Sequence, residues 1–248
     1  MFRHFIFASA SVIALTAGAN AADIYRASEG GSYKDAPYVA ANWSGWYVGV
    51  NGGYAWAGNT QFVNTDPISE PFSGLSPDGG FGGGQAGYNL QGYIHPNLVV
   101  GIEADIQGAS IGAKGFSPSY DYKSNLDYFG TVRGRLGYAN GPTLLYFTGG
   151  FAFGGVEKVT NAYGSFFHDA KLDTLATGYV LGGGIEYKLT PKWSLKGEYQ
   201  YLNLGKNDVC ASPAFQCFTL HNPSKDDDYH TVRAGLNYHI TPVYEPLK

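Results

Sequence analysis

The sequence predicts an all-β fold, an eight-stranded antiparallel up-and-down transmembrane β-barrel, and three observations predict it. Eight segments alternate at a period of two between an apolar face and a small or polar face. Aromatic residues gather near the ends of the apolar faces, where a membrane barrel meets its two water–lipid interfaces. Long Pro/Ser/Asn/Gly-rich connections alternate with short turns, the asymmetry of long extracellular loops and short periplasmic turns. A soluble eight-stranded barrel with its apolar face turned inward is the competing architecture, and it leaves the aromatic ends and the alternating connections unexplained.

The chain of 248 residues is long enough for one large domain, and its 36 Gly and 20 Tyr are the unusual part of its composition. Glycine suits a crowded barrel interior and tight turns, and tyrosine an interface with one apolar and one wet side. A mean hydropathy of -0.18 is what strands with two opposite faces average to.

Residues 1–21 read as a secretory signal peptide: Arg3 in a short basic start, an apolar run from Phe5 to Ala17, and Ala19-Asn20-Ala21 as the cleavage site. The run falls short of the roughly 20 apolar residues of a spanning helix. Cleavage after Ala21 removes one cation, so 16 Lys+Arg become 15 against 20 Asp+Glu, a formal charge of -5. Such a mildly acidic chain gives no basis for nucleic-acid binding. Residues 22–42 lack either periodicity and read as a flexible periplasmic lead-in.

The barrel is expected over 43–240. In the first strand Trp46, Val48, Val50, Tyr54 and Trp56 face lipid, against Tyr47, Gly49, Asn51, Gly53 and Ala55 inside. After a long loop at 58–78, the second strand turns Ala86, Tyr88 and Leu90 outward and Gln85, Gly87 and Asn89 inward. A turn at 92–97 leads to the third, with Leu98, Val100, Ile102, Ala104 and Ile106 outside and Gly101, Glu103, Asp105 and Gln107 inside. The stretch 108–125 is expected to be a long loop. The fourth strand has Tyr128, Val132, Leu136 and Tyr138 outside and Thr131, Arg133 and Arg135 inside, and Ala139-Asn140-Gly141-Pro142 is a tight turn.

The fifth strand places Leu145, Phe147, Phe151 and Phe153 outward and Tyr146, Thr148, Gly150 and Ala152 inward, before an expected loop from about 157 to 175. The sixth shows Tyr179, Leu181, Ile185 and Tyr187 outside and Gly182, Gly184, Glu186 and Lys188 inside. Leu189-Thr190-Pro191-Lys192 turns the chain into the seventh strand, where Trp193, Leu195, Tyr199 and Tyr201 oppose Lys196, Glu198 and Gln200. A loop at 205–227 precedes the eighth, with Val232, Ala234, Leu236, Tyr238 and Ile240 outward and Thr231, Arg233, Asn237 and His239 inward. The tail 241–248 contains Pro242 and Pro246 and is expected to leave the sheet on the periplasmic side.

Four segments together, N-W-S-G-W-Y-V-G-V-N-G-G-Y from Asn42, T-V-R-G-R-L-G-Y from Thr131, G-Y-V-L-G-G-G-I-E-Y-K-L from Gly178 and V-R-A-G-L-N-Y from Val232, carry a resemblance. The chain resembles the small outer-membrane β-barrel porin family of alphaproteobacteria, the outer-membrane immunogenic proteins, which are similar in fold to the barrel domain of outer-membrane protein A. Family members usually stop on an aromatic residue, whereas this chain has Ile240 there and continues T-P-V-Y-E-P-L-K. The resemblance implies a surface protein of the cell outer membrane, called a porin more by habit than by conductance. The partners expected of such a protein are outer-membrane lipids and lipopolysaccharide and the barrel-assembly machinery, with peptidoglycan or a host surface as further candidates.

The inward charges Glu103, Asp105, Arg133, Arg135, Glu186, Lys188, Lys196, Glu198 and Arg233 allow two readings, a gated polar channel or a satisfied network filling a narrow lumen. The second is favoured, because eight strands leave an interior only wide enough for side chains. No cofactor or metal is expected. Cys210 and Cys217 lie in one Pro-containing loop of an exported chain and are expected to form a disulfide; their spacing is long for a zinc site, and His221 is the only nearby nitrogen ligand. No histidine has a serine two residues away on the same strand face, so the sequence offers no convincing Ser–His dyad. His168 and His221, with Tyr163, Phe166 and Phe167, are candidates for a haem or host ligand site in the loops. The expected function is a non-enzymatic one in envelope integrity and surface contact with at most weak porin activity, the alternative a haem- or host-ligand-binding receptor or adhesin; a lipid-modifying enzyme ranks last.

Overall fold

A computed structural model describes residues 42–58, 75–116, 120–162, 170–205 and 226–240. The signal segment 1–21, the lead-in up to residue 41, Cys210, Cys217, His168, His221 and the tail 241–248 lie outside the described residues.

Eight strands, β1 (Gly45–Ala57), β2 (Asp78–Gln91), β3 (Leu98–Phe116), β4 (Tyr120–Asn140), β5 (Thr143–Ala162), β6 (Ala170–Lys188), β7 (Trp193–Asn203) and β8 (Asp228–Ile240), pair each with the next, and β8 pairs back onto β1. The seam runs from Trp46 opposite Ile240 to Ala57 opposite Tyr229, so the closed ladder leaves no edge at membrane depth. Both barrel termini and the turns at 92–97, 141–142 and 189–192 share one end, called here the turn end. Gly92 and Gly141 hold φ of 85° and 57° there, the left-handed conformation that glycine adopts without strain.

The alternation read from the sequence places every strand in the right phase. Outward Trp46, Val48, Val50, Ile102, Ile106, Val132, Leu145, Phe147, Leu181 and Leu195 are exposed, while inward Tyr47, Gln85, Glu103, Arg133, Tyr146, Glu186 and Lys196 are buried. Exposed apolar side chains on one side of a sheet over polar ones buried on the other are the pattern of a barrel solvated by lipid.

Two expected loops are strand. β3 continues to Phe116 and β4 begins at Tyr120, inside the stretch expected to loop from 108 to 125. β5 runs to Ala162 and β6 starts at Ala170, inside the one expected from 157 to 175. The reason is chemical: above the membrane the outward face turns polar, with Ser110 and Lys114 on β3, Asp121, Lys123 and Asp127 on β4 and Glu157 on β5, so the apolar stripe that marks a strand disappears. Lys123 pairs with Glu157 at 3.2 Å across this outer face. The wall built from β3 to β6 therefore stands higher than the wall of β7, β8, β1 and β2. At the boundary the register shifts between Gly108 and Ile111 on β3 and between Leu126 and Tyr128 on β4. Asp127 and Tyr128 both point outward, and the inward set on β4 changes from odd positions below to Ser124 and Leu126 above, the phase change that an extra residue in a ladder produces.

Glycine explains how so many bulky groups fit inside. A Cβ on Gly87 would stand 2.4 Å from the Tyr47 ring, one on Gly101 2.3 Å from Asn89 Oδ1, one on Gly49 2.2 Å from Asn237 Oδ1, and one on Gly184 2.8 Å from the Tyr146 hydroxyl. Each of these four inward side chains crowds a glycine of the neighbouring strand.

Candidate functional site: the barrel lumen

The lumen is built in three layers. At the turn end, Trp43, Val99, Ala139, Leu144 and Tyr146 form a buried apolar cluster. Trp43 lies just before β1 and is fully buried. Its amide donates to Gln91 Oε1 at 2.8 Å, its ring meets His239 edge-on at 5.8 Å, and the Lys188 ammonium lies 5.0 Å from its centroid. At the opposite, loop end, Phe81, Ile111, Leu126, Phe129, Val156, Val180, Leu202, Leu204 and Tyr229 form a second and larger apolar cluster.

Between them lies the charge network. Arg133 from β4 bonds Glu103, Asp105 at 2.8 Å and Glu198 at 2.5 Å. Arg233 from β8 reaches the same three carboxylates at 3.4, 3.1 and 2.7 Å. Lys196 from β7 stands 2.9 Å from Glu103 and 3.7 Å from Glu198. Arg135 pairs with Glu186 and lies under the face of Tyr146, 3.7 Å from the ring centroid. Four cations thus meet four carboxylates, and all eight side chains are buried. Charges so placed are tolerable only when paired and hydrogen-bonded; each of the eight makes at least one ion pair and hydrogen bond, while among the described residues Asp105 Oδ1, Arg133 Nε and Arg135 Nε have no hydrogen-bond partner.

Of the nine inward charges singled out from the sequence, eight join this network. Lys188 sits apart, at the turn end, where its ammonium donates to the Asn42 carbonyl at 2.7 Å beside Trp43. Sequence reasoning placed Tyr47, Tyr146 and Thr131 inward but missed that their hydroxyls join the network: Tyr47 donates to Glu103 at 2.7 Å, Tyr146 to Glu198 at 2.5 Å and Thr131 to Asp105 at 2.8 Å. It also missed a second buried pair near the loop end, where Lys158 binds Asp227 at 2.7 Å.

One contact lies outside what spacing within a strand can show. A serine and a histidine do meet: Ser194 Oγ on β7 lies 2.8 Å from His239 Nε2 on β8. Ser194 also donates to Glu186, whose Oε1 accepts from Asn237 at 2.8 Å. The order is not that of a nucleophile relay, in which the carboxylate holds the far imidazole nitrogen; here Glu186 binds the serine and lies 3.7 Å from the same Nε2. Ser194 and His239 are buried beneath Trp43, and the cluster works as an anchor for Glu186. No group of three or more potential metal ligands occurs among the described residues.

The sequence matches the outer membrane protein beta-barrel domain family over residues 6–239. The chain belongs to this family. It is 36% identical over 255 residues to the 31 kDa outer-membrane immunogenic protein of Brucella melitensis biotype 1, covering 92% of this chain and 97% of that protein. It is 31% identical over 175 residues to a 22 kDa outer membrane protein of Rhizobium leguminosarum bv. viciae, covering 68% of each. Among solved structures, Neisserial surface protein A is similar with a TM-score of 0.44 at 20% identity, covering 79% of this chain and 98% of that one. The family places the protein in the outer membrane, with its strands as the spanning elements.

Proposed function

We propose that this barrel is a closed structural element of the outer membrane that serves envelope integrity and surface contact, with neither steady conductance nor catalysis. The observation that carries the reading is the layered lumen, a charge-balanced network held between two apolar clusters. A conducting pore needs a continuous wet path, and each apolar layer interrupts one. The Ser194–His239 contact supports the non-enzymatic side, since it is covered by Trp43 and, among the described residues, has no carboxylate on the far imidazole nitrogen. Surface contact is supported by the high wall of β3 to β6, whose outward face is polar and whose rim exposes Phe116. The refolded protein in planar bilayers is expected to stay silent, and a strain lacking it is expected to become sensitive to detergent. Steady openings by the wild type, or unchanged detergent resistance in the deleted strain, would overturn the proposal.

A further inference from the structure

We propose that residues 42–44 form a strap, hinged at Gly45, that carries Trp43 as a releasable plug over His239 at the turn end. The strap lies outside the ladder. The first paired residues of β1 are Gly45, opposite Asn89 of β2, and Trp46, opposite Ile240 of β8. Among the described residues no backbone-to-backbone hydrogen bond ties 42–44 to the wall. Three bonds that each use a side chain hold it instead. The Trp43 amide donates to Gln91 Oε1 at 2.8 Å, the Ser44 hydroxyl accepts from the Gln91 amide at 2.9 Å, and the Asn42 carbonyl accepts from Lys188 Nζ at 2.7 Å. Gln91 ends β2 and Lys188 ends β6, so two strand ends make the latch. A fourth bond, from the Ser44 amide to Asn42 Oδ1 at 2.8 Å, is internal to the strap and lets it move as a unit.

The hinge and the seat both suit release. Gly45 has φ of 120°, a conformation that residues with side chains rarely adopt, and it stands between the strap and the ladder. A rotation at this strand terminus swings Trp43 while the pairing from Trp46 onward stays in place. The ring is fully buried beside Val99, Ala139, Leu144 and Tyr146 and meets His239 edge-on. Its Nε1 is buried with no hydrogen-bond partner among the described residues, whereas a buried indole N–H usually has one. Seating therefore forfeits a hydrogen bond that leaving restores, which lowers the cost of release. Lys188 stands apart from the four cations of the charge network, so parting from Asn42 leaves that network whole. Behind the ring are His239, 2% exposed, Ser194, bonded to it at 2.8 Å, and Glu186. Their access to water from the turn end is set by the strap.

The device is independent of whether the barrel conducts, because its readout is the reactivity of one histidine. The refolded full-length protein in detergent is treated with diethyl pyrocarbonate, which acylates accessible imidazoles, and peptide mass spectrometry follows His239 against the exposed His95 of the 92–97 turn. In the wild type His239 should react far more slowly than His95. Gln91→Leu with Lys188→Met breaks the latch and keeps the ring, and should speed the reaction at His239 about tenfold, the equivalent of one charged hydrogen bond. Gly45→Ala, which cannot hold the seated φ without strain, should act in the same direction, and Trp43→Ala should expose His239 most. Leu202→Ala, in the loop-end cluster, should leave His239 protected and so separates release of the strap from a general loosening of the barrel. A heat-shifted gel band shows that each variant is folded. Wild-type His239 reacting as fast as His95, His239 staying protected in the folded latch variant, or equal exposure by Leu202→Ala would each overturn the proposal.

Discussion

Arg135 and Glu186 form the pair in which a closed lumen can be told from a wet one by energetics. Both are buried, and Glu186 is also held by Ser194 and by Asn237 at 2.8 Å. Arg135→Met leaves a carboxylate without its cation in a water-poor interior, at an expected cost of about 3–5 kcal/mol. Glu186→Gln keeps an oxygen for the Ser194 and Asn237 donors and leaves Arg135 over the Tyr146 face, 3.7 Å from its centroid, a contact worth about 2 kcal/mol when desolvated. Its cost should fall at the lower end of the same range. Combining the two changes removes both charges, so the double variant should lose less than the sum by about 1.5 kcal/mol or more. Urea unfolding of the barrel in phospholipid vesicles, followed by tryptophan emission, gives the free energies from midpoint and slope. Were the lumen a water-filled channel, both groups would be solvated, each single change would cost about 0–1 kcal/mol, and the costs would add. Small, additive losses would refute the sealed interior.

Further outcomes are expected elsewhere. Leu145→Arg and Leu195→Arg, at positions 59% and 50% exposed to lipid, should each cost about 2–4 kcal/mol if they lie near the midplane, whereas Thr148→Ala on the inner face should escape that lipid penalty; refolding titrations into lipid compare them, and equal penalties would contradict the strand phase. Gly87→Ala would drive a methyl to 2.4 Å from the Tyr47 ring and should cost about 1–3 kcal/mol, while Gly197→Ala meets nothing within 4 Å and should be nearly neutral in the same titrations. Trp43→Ala removes the buried ring that meets His239 edge-on and should cost about 3–5 kcal/mol and raise bilayer conductance; a variant as stable and as silent as the wild type would show that Trp43 does not seal the turn end.

The strands were legible because a barrel between lipid and a polar lumen makes each strand alternate strongly, so Val48 against Gly49 or Leu195 against Lys196 carries its direction in its polarity. The charge network was legible for the same reason: Glu103 and Arg133 are inward residues of consecutive strands, and the register sets them opposite one another. Three things were not. The upper parts of β3 to β6 escaped because beyond the lipid their outward residues, such as Lys114 and Asp127, are chosen by water. The apolar layers escaped because Phe81, Phe129, Leu126 and Ile111 face a lumen that alternation alone marks as polar, and only the closed barrel brings residues of three strands together there. Ser194 and His239 escaped because their meeting depends on β7–β8 register, which sets Ser194 opposite Asn237, and not on spacing within one strand.

The position of Arg233 bears on how the barrel can form. The four carboxylates of the network come from β3, β6 and β7, and three of its cations from β4 and β7; the fourth arrives only with the final strand. In a seven-stranded precursor the network therefore has one negative charge in excess, and Glu103, Asp105 and Glu198 each lack one of their ligands. Docking β8 neutralises that charge in the same step that pairs the open edges of β1 and β7. Partial sheets are thus penalised twice, once by unpaired backbone in lipid and once by carboxylates of the network short of a cation, which makes completion of the ring an all-or-none event and leaves little population in half-built states.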